Sequence, residues 1–277
     1  MYRVSKVLNN NGVIAIDMDE NQEYVILGKG VGFGKKVSQR FDKPQECTMY
    51  RLAQETERGS AKELVKGIEP EYLEIADAIL TEAQKVFGDS IDRGILFPLA
   101  DHISFAVGRI RRNEQISNPL TEDIKVLFYS EFKVAETLKT ILKERLQIEI
   151  DDHEVGYVAL HIHSAIGDEK VSVAMQTARA VRECIDMIEK ATGKPIDVLS
   201  LSYNRLMNHM KYMVARASTG EKLNLDMNEY MLEQYPQAYE IAADICKNLE
   251  GCIGHKLDET EIGYLAMHIQ RVYKDAV

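Results

Sequence analysis

Four histidines stand at matched places in this 277-residue chain: His102, His161, His209 and His268. Each pair is separated by 59 residues, and the second pair follows the first at an offset of 107. A histidine can bind a metal, act as an acid or base, or accept a phosphoryl group on a neutral ring nitrogen. Metal binding needs convergent nitrogens. His161 and His163 lie about 200° apart on a helix, nearly on opposite faces. They would chelate from a strand, and Gly156 to Ala165 does not alternate like one. No HExxH motif, Ser/His/Asp set or paired-carboxylate arrangement emerges. Two readings remain, a phosphoacceptor and a polar core histidine with its hydrogen bonds satisfied. Arg109 and Arg216 each lie seven residues after a first histidine, two turns along the same helix face. Each is either a phosphate partner or an ordinary surface arginine. Asp101 could fix the tautomer of His102 as a neighbouring carboxylate does, whereas the matching residue beside His209 is Asn208. His153 and His255 fall at different points of the repeat and are assigned nothing.

A second chemistry sits near the N-terminus. The stretch Gly28-Lys29-Gly30-Val31-Gly32-Phe33-Gly34-Lys35-Lys36 is not a Walker loop, because Lys29 and Lys36 replace its first Gly and its Ser/Thr. Nor is it a dinucleotide fingerprint, since its glycines alternate and no βαβ unit surrounds it. Alternating glycines let a ligand approach the backbone, and cations beside one aromatic suit a phosphate backbone with a stacked base. The competing reading is a hairpin with Phe33 folded into the core.

The elements that must position these groups differ between the two ends of the chain. Residues 2–52 have strand rhythm: Tyr2 to Leu8, an Asn9-Asn10-Asn11-Gly12 turn, Val13 to Ile16, a polar turn over Asp17 to Gln22, and Glu23 to Leu27. Lys35 to Val37 and Cys47 to Leu52 are two further candidate strands. About fifty residues bury little surface on their own, so self-association into a dimer is expected. From about residue 61 the apolar period becomes helical; Leu73, Ala76, Leu80, Ala83 and Phe87 follow Pro70, and Gly88 ends the run.

The helical part is duplicated at the same offset of 107. Leu99 to Phe105 aligns with Leu206 to Tyr212, Val134-Ala135 with Ile241-Ala242, and Glu154-Val-Gly156-Tyr157 to Ile162 with Glu261-Ile-Gly263-Tyr264 to Ile269, without a gap. Two tandem all-α domains follow, near 61–168 and 169–277, with Gly167 to Lys170 as the candidate linker.

The formal net charge is −10, which argues against a globally basic nucleic-acid binder. The sum hides a division: residues 1–58 carry nine Lys/Arg against eight Asp/Glu, and residues 28–43 carry five cations against Asp42 alone. Four scattered cysteines make neither a disulfide framework nor a CxxC zinc site. The polar start and the absence of a long apolar run give no signal segment and no membrane insertion, and imply a cytoplasmic protein with reduced thiols.

With these residues in view, the chain resembles the BglG/SacY family of transcriptional antiterminators. The likeness rests on Lys6-Val-Leu-Asn9-Asn10-Asn11, the Gly28 to Lys36 bend and the two histidine-bearing repeats, and it runs the length of the chain. Gly30 to Lys36 and Leu160 to Ala165 look closest to the glucose-type branch. The resemblance implies a multidomain, non-enzymatic protein. A small, dimeric antiparallel β-sheet RNA-binding domain (1–58) would precede two all-α helical-bundle regulation domains. It implies binding to an antiterminator hairpin in nascent mRNA. It also implies phosphorylation by the phosphocarrier HPr and a sugar-specific Enzyme II, with no cofactor. RNA contacts carry over to Lys6, Asn11, Gly28, Lys29 and Phe33, and further to Asn9, Asn10, Gly30 and Lys35. Lys29 stands where many members have Arg and lacks the bidentate fork. The phosphorylated histidines would be His102, His161, His209 and His268. Three alternatives compete: a DNA-binding activator, which would need a helix-turn-helix that the strand-like start does not supply; a histidine-based metallohydrolase; and a ligand-free helical scaffold.

Overall fold

The computed structural model describes residues 1–52, 55, 56, 59–167, 170–193, 195–197 and 200–275. Its first part is a five-stranded antiparallel sheet. The strands are β1 (Tyr2–Asn9), β2 (Gly12–Asp17), β3 (Glu23–Leu27), β4 (Arg40–Phe41) and β5 (Thr48–Arg51), in the order β4-β1-β2-β3-β5. A short hairpin, β6 (Glu55–Thr56) with β7 (Gly59–Ser60), leads into the helices.

Register explains why the sheet is apolar on both faces. Val13, Ile26 and Met49 are paired across β2, β3 and β5, so they point the same way. Together with Ala15 and Val31 they build one core, flanked by Tyr2, Val7 and Phe41. Ile14, Val25 and Tyr50 form the next row and face the other side. There the Tyr50 ring meets Phe97 edge-on at 6.3 Å between centroids. The Tyr50 hydroxyl donates to Asp77, and Arg93 donates to both at 2.8 Å. The burial that a fifty-residue sheet lacks is thus supplied in part by the helices that follow it.

One expected strand is absent. Lys35 to Val37 forms no ladder: the Gln39 amide donates to the Lys36 carbonyl, and Ser38 takes a φ of +68°. The Ser38 amide then donates to the Val4 carbonyl, and the pairing with β1 falls to Arg40–Phe41. A tight turn takes up the residues expected to form that strand.

The helices are α1 (Ala61–Gly67), α2 (Pro70–Phe87), α3 (Leu96–Arg111), α4 (Thr121–Leu127), α5 (Tyr129–Ala135), α6 (Thr137–Leu146), α7 (Asp152–Gly167), α8 (Val171–Thr192), α9 (Leu201–Thr219), α10 (Asn228–Gln234), α11 (Pro236–Ile253) and α12 (Thr260–Asp275). Helix α2 begins at Pro70, whose missing N–H costs nothing there, and ends at Gly88 with φ 64°. The duplication is visible in these bounds. Shifted back by 107 residues, α10 covers α4 residue for residue, and α11 covers α5 and α6 together. In the second copy α10 lies so close to α12 that a Cβ on Gly263 would come 2.6 Å from the Met227 carbonyl carbon. That approach explains why this position must be glycine.

Two compact units result. One gathers Met1–Asn118 and Ser130–Val171; the other gathers Pro119–Tyr129 and Ser172–Val277. Helix α4 therefore belongs to the second unit, where the fully buried Tyr203 of α9 donates its hydroxyl to Asp123 at 2.9 Å. Of the expected linker, Gly167 closes α7, and residues 168 and 169 lie outside the described residues.

Burial pushes both the Asp123 carboxyl and the Tyr203 phenol up. Replacing Tyr203 by Phe removes a donor from a carboxyl group that water does not reach. Such an orphaned acceptor costs about 1–3 kcal/mol. Tyr203→Phe should therefore lower the urea midpoint of the second unit with its m-value unchanged.

Candidate nucleic-acid surface and histidine clusters

The Asn turn and the Gly bend are one structure. The Gly28 amide donates to the Asn11 carbonyl at 2.9 Å, the Gly32 amide to the Asn10 carbonyl at 2.9 Å, and the Gly30 amide to Asn11 Oδ1 at 3.1 Å. Asn9 Oδ1 accepts from the Asn11 amide at 2.8 Å. The bend lies so near the turn that a Cβ on Gly32 would fall 2.0 Å from the Asn9 carbonyl oxygen. Lys6, Asn10, Lys29 and Gly30 are exposed at this end of the sheet. Phe33 is 74% exposed, so it does not fold into the core. Lys35 is half-buried, its ammonium 4.6 Å above the Phe41 ring centre.

A residue the sequence did not single out holds the side-chain amides of Asn9 and Asn11. Glu74, on α2, accepts from Asn9 Nδ2 at 2.7 Å and from Asn11 Nδ2 at 3.2 Å. Arg145 stands 3.6 Å from the same carboxylate. The side-chain amide donors of Asn9 and Asn11 are thus occupied by an anion of the protein itself.

The histidines converge in pairs within each unit. His102 of α3 and His161 of α7 have ring centres 5.3 Å apart, with Tyr157 5.8 Å from His102. His209 of α9 and His268 of α12 stack at 4.9 Å, with Tyr264 4.9 Å from His209. His163 points elsewhere and meets Glu131 at 2.9 Å, as opposite helix faces require.

Each pair is backed by a buried carboxylate. Glu154 is 3% exposed and Glu261 1%, one turn before the tyrosines and two before the second histidines. Arg109 Nη2 donates to Glu154 at 2.7 Å, leaving Oε2 3.4 Å from His102 Nε2. Arg216 instead grips both oxygens of Glu261, at 2.6 and 2.9 Å, and His209 Nε2 stands 3.8 Å away. Neither arginine is an ordinary surface residue, and the carboxylate facing His102 at that distance is Glu154. The identity of Glu154 and Glu261 across the repeat was the available signal, but their burial was not readable.

The surroundings differ. His209 and His268 open onto a cavity of about 400 Å³ that Arg205, Arg216 and Arg271 also line. At the first pair, the positions matching Arg205 and Arg271 are Pro98 and Ser164. Among the described residues, no cluster of His, Cys, Asp and Glu is arranged to hold a metal, and no helix is long and apolar enough to cross a membrane.

Comparison with known proteins accounts for both regions. Residues 2–59 match the CAT RNA binding domain, and residues 77–165 and 182–272 each match the PRD domain. The chain is 30% identical over 274 residues to the GlcA/glcB genes antiterminator of Staphylococcus carnosus (strain TM300), covering 97% of this chain and 94% of the relative. It is 28% identical to the transcription antiterminator LicT of Bacillus subtilis (strain 168), covering 99% of this chain and all of the relative's length, 100%. The crystal structure of GlcT CAT-PRDI superposes with a TM-score of 0.52 at 30% identity, covering 60% of this chain and 98% of that one.

Burial lowers the pKa of His209 to about 3, helped by His268 and Arg216, and that of His268 to about 4, helped by Arg271 and Arg205. Above pH 6.5 both rings are neutral folded or unfolded, and stability does not depend on them. Below it the unfolded chain binds protons that the folded one refuses, so stability falls as pH drops toward these lowered values. At pH 5 the loss is on the order of 1–2 kcal/mol for His209. Urea midpoints at pH 7 and pH 5 should separate further for the wild type than for His209→Gln.

Proposed function

This chain belongs to the BglG/SacY family of RNA-binding transcription antiterminators, and from that premise we propose how its residues share the work. The observation that carries the proposal is the joined Asn turn and Gly bend, with Phe33 and Lys29 exposed beside it. Lys6, Asn9, Asn10, Asn11, Gly28, Lys29, Gly30, Phe33 and Lys35 bind an antiterminator hairpin in the nascent mRNA of a sugar-uptake operon of the glucose type. The bound hairpin excludes the overlapping terminator. Phe33 supplies a stacking face and the lysines meet phosphates. The protein works in the cytoplasm as a dimer, whose paired sheets form the binding surface. Residues 1–58 act as the RNA-binding domain, 61–168 and 169–277 as the regulation domains.

His102, His161, His209 and His268 accept phosphoryl groups from HPr and a sugar-specific Enzyme II. Each phosphoryl group itself carries a charge of roughly −1.5 to −2. In the second domain that charge meets Arg205, Arg216 and Arg271 around the cavity. In the first it meets Glu154 with Arg109 and stands beside Asp101 in the chain. The second domain thus offers that charge Arg205 and Arg271, whose counterparts in the first are Pro98 and Ser164, which supports different responses of the two domains to the same modification. Glu74 supports a further point of control: RNA must displace its carboxylate from Asn9 and Asn11.

A gel shift of the full chain should favour the hairpin RNA over duplex DNA, weakening as salt rises because phosphate contacts release counterions. Phe33→Ala should cost a stack worth ~1–3 kcal/mol, and Glu74→Ala should tighten binding. Equal affinity for duplex DNA would sink the RNA assignment.

Acid-labile phosphate should pass from purified phosphotransferase components to the wild type and decline in single His→Ala variants. Undiminished labelling with all four histidines replaced would return them to a packing role.

A further inference from the structure

The two histidines of each pair bury opposite ring nitrogens. His102 and His209 turn Nε2 into the interior, whereas His161 and His268 turn Nδ1 inward. The same opposition occurs in both copies although their surroundings differ, so it belongs to the helix geometry that positions each ring. A phosphoryl donor cannot reach a nitrogen that water does not reach.

We infer that the first histidine of each pair is phosphorylated on Nδ1 and the second on Nε2, and that Glu154 and Glu261 are the positioning residues that hold the first ring in this sense. The inference rests on the phosphoacceptor reading above and adds the reacting atom.

The carboxylates supply the reason at the first histidine. His209 Nε2 lies 3.8 Å from Glu261 Oε2, and His102 Nε2 lies 3.4 Å from Glu154 Oε2. A nitrogen lone pair aimed at an anion is repelled, so the ring proton resides on Nε2 and the lone pair on Nδ1. Burial keeps His209 neutral, so this lone pair is available for attack. Arg216 fixes the carboxylate through both oxygens. It cannot swing away to accept the opposite tautomer.

The step balances without a proton moving. The donor is a phosphohistidine carrier. Its P–N bond breaks and the electron pair returns to the donor imidazole, while the Nδ1 lone pair of His209 forms the new P–N bond. The Nε2–H stays in place, and the ring becomes a phosphorylated imidazolium whose positive charge faces Glu261. At His268 the roles of the nitrogens are exchanged: Nδ1 is the buried one, and the phosphoryl group is received on Nε2 of a ring that lines the arginine-bearing cavity.

The test uses the full chain labelled with ¹⁵N-histidine and phosphorylated by phosphoenolpyruvate, Enzyme I and HPr. Long-range ¹H–¹⁵N spectra identify the substituted nitrogen of each ring, with His209→Gln and His268→Gln serving only for assignment. The expected result is an Nδ1-phosphate on His209 and an Nε2-phosphate on His268 in the same sample. The same isomer on both rings overturns the inference while leaving the phosphoacceptor reading intact. Absence of phosphate from all four rings overturns both. Glu261→Gln should let the His209 ring turn over, so that at least a tenth of its label appears on Nε2. Glu154→Gln should do the same at His102. An isomer ratio unchanged in both variants removes the carboxylates from the positioning role.

Discussion

Burying a carboxylate costs several kcal/mol unless cations and donors surround it, and this chain does so twice at corresponding positions. Glu154 and Glu261 can sit in the interior because α3 brings Arg109 and α9 brings Arg216 to them. That pairing fixes how α3 meets α7 and how α9 meets α12. The seven-residue step from His102 to Arg109 places both on one helix face. On the partner helix Glu154, Tyr157 and His161 share another, so closing the ion pair also sets the histidine rings side by side. The second copy repeats this with the same spacing. Helix packing and the chemistry of the site are therefore one constraint.

At the other end of the chain the governing interactions are backbone hydrogen bonds. The Asn turn accepts from three amides of the Gly bend, and the contact is too close for any side chain at Gly32. This leaves Phe33 and Lys29 outside, with little local freedom in the backbone beneath them. Glu74 then ties the turn to α2. A surface with exposed lysine and phenylalanine is thus tied to the helices through a carboxylate of the protein itself.

Much of this was legible before any coordinates. Turn chemistry placed the first three strands, Pro70 and Gly88 bounded α2, and the 107-residue offset announced the duplication and its histidine pairs. Three features were not legible, for distinct reasons. The strand rhythm of residues 2–52 suggested a further strand at Lys35 to Val37 because it carries no information about Ser38 adopting a left-handed turn. Glu154, which stands 3.4 Å from His102, is 52 residues away in sequence and is brought there by helix packing. Glu74 lies among the polar residues of α2 with no motif to mark it. Its role depends on where the sheet comes to rest, which no local pattern records.

The helix α4 has a consequence for how such a protein can be divided and inherited. Its seven residues lie in sequence inside the first repeat, yet they fold with the second unit, and Asp123 gives the buried Tyr203 its acceptor. A recombination event that excised the second repeat cleanly at its sequence boundary would leave Asp123 behind and carry Tyr203 away without it. The same deletion would strip α4 of the unit it packs with. The seam between the repeats in sequence is therefore not the seam between the units in space.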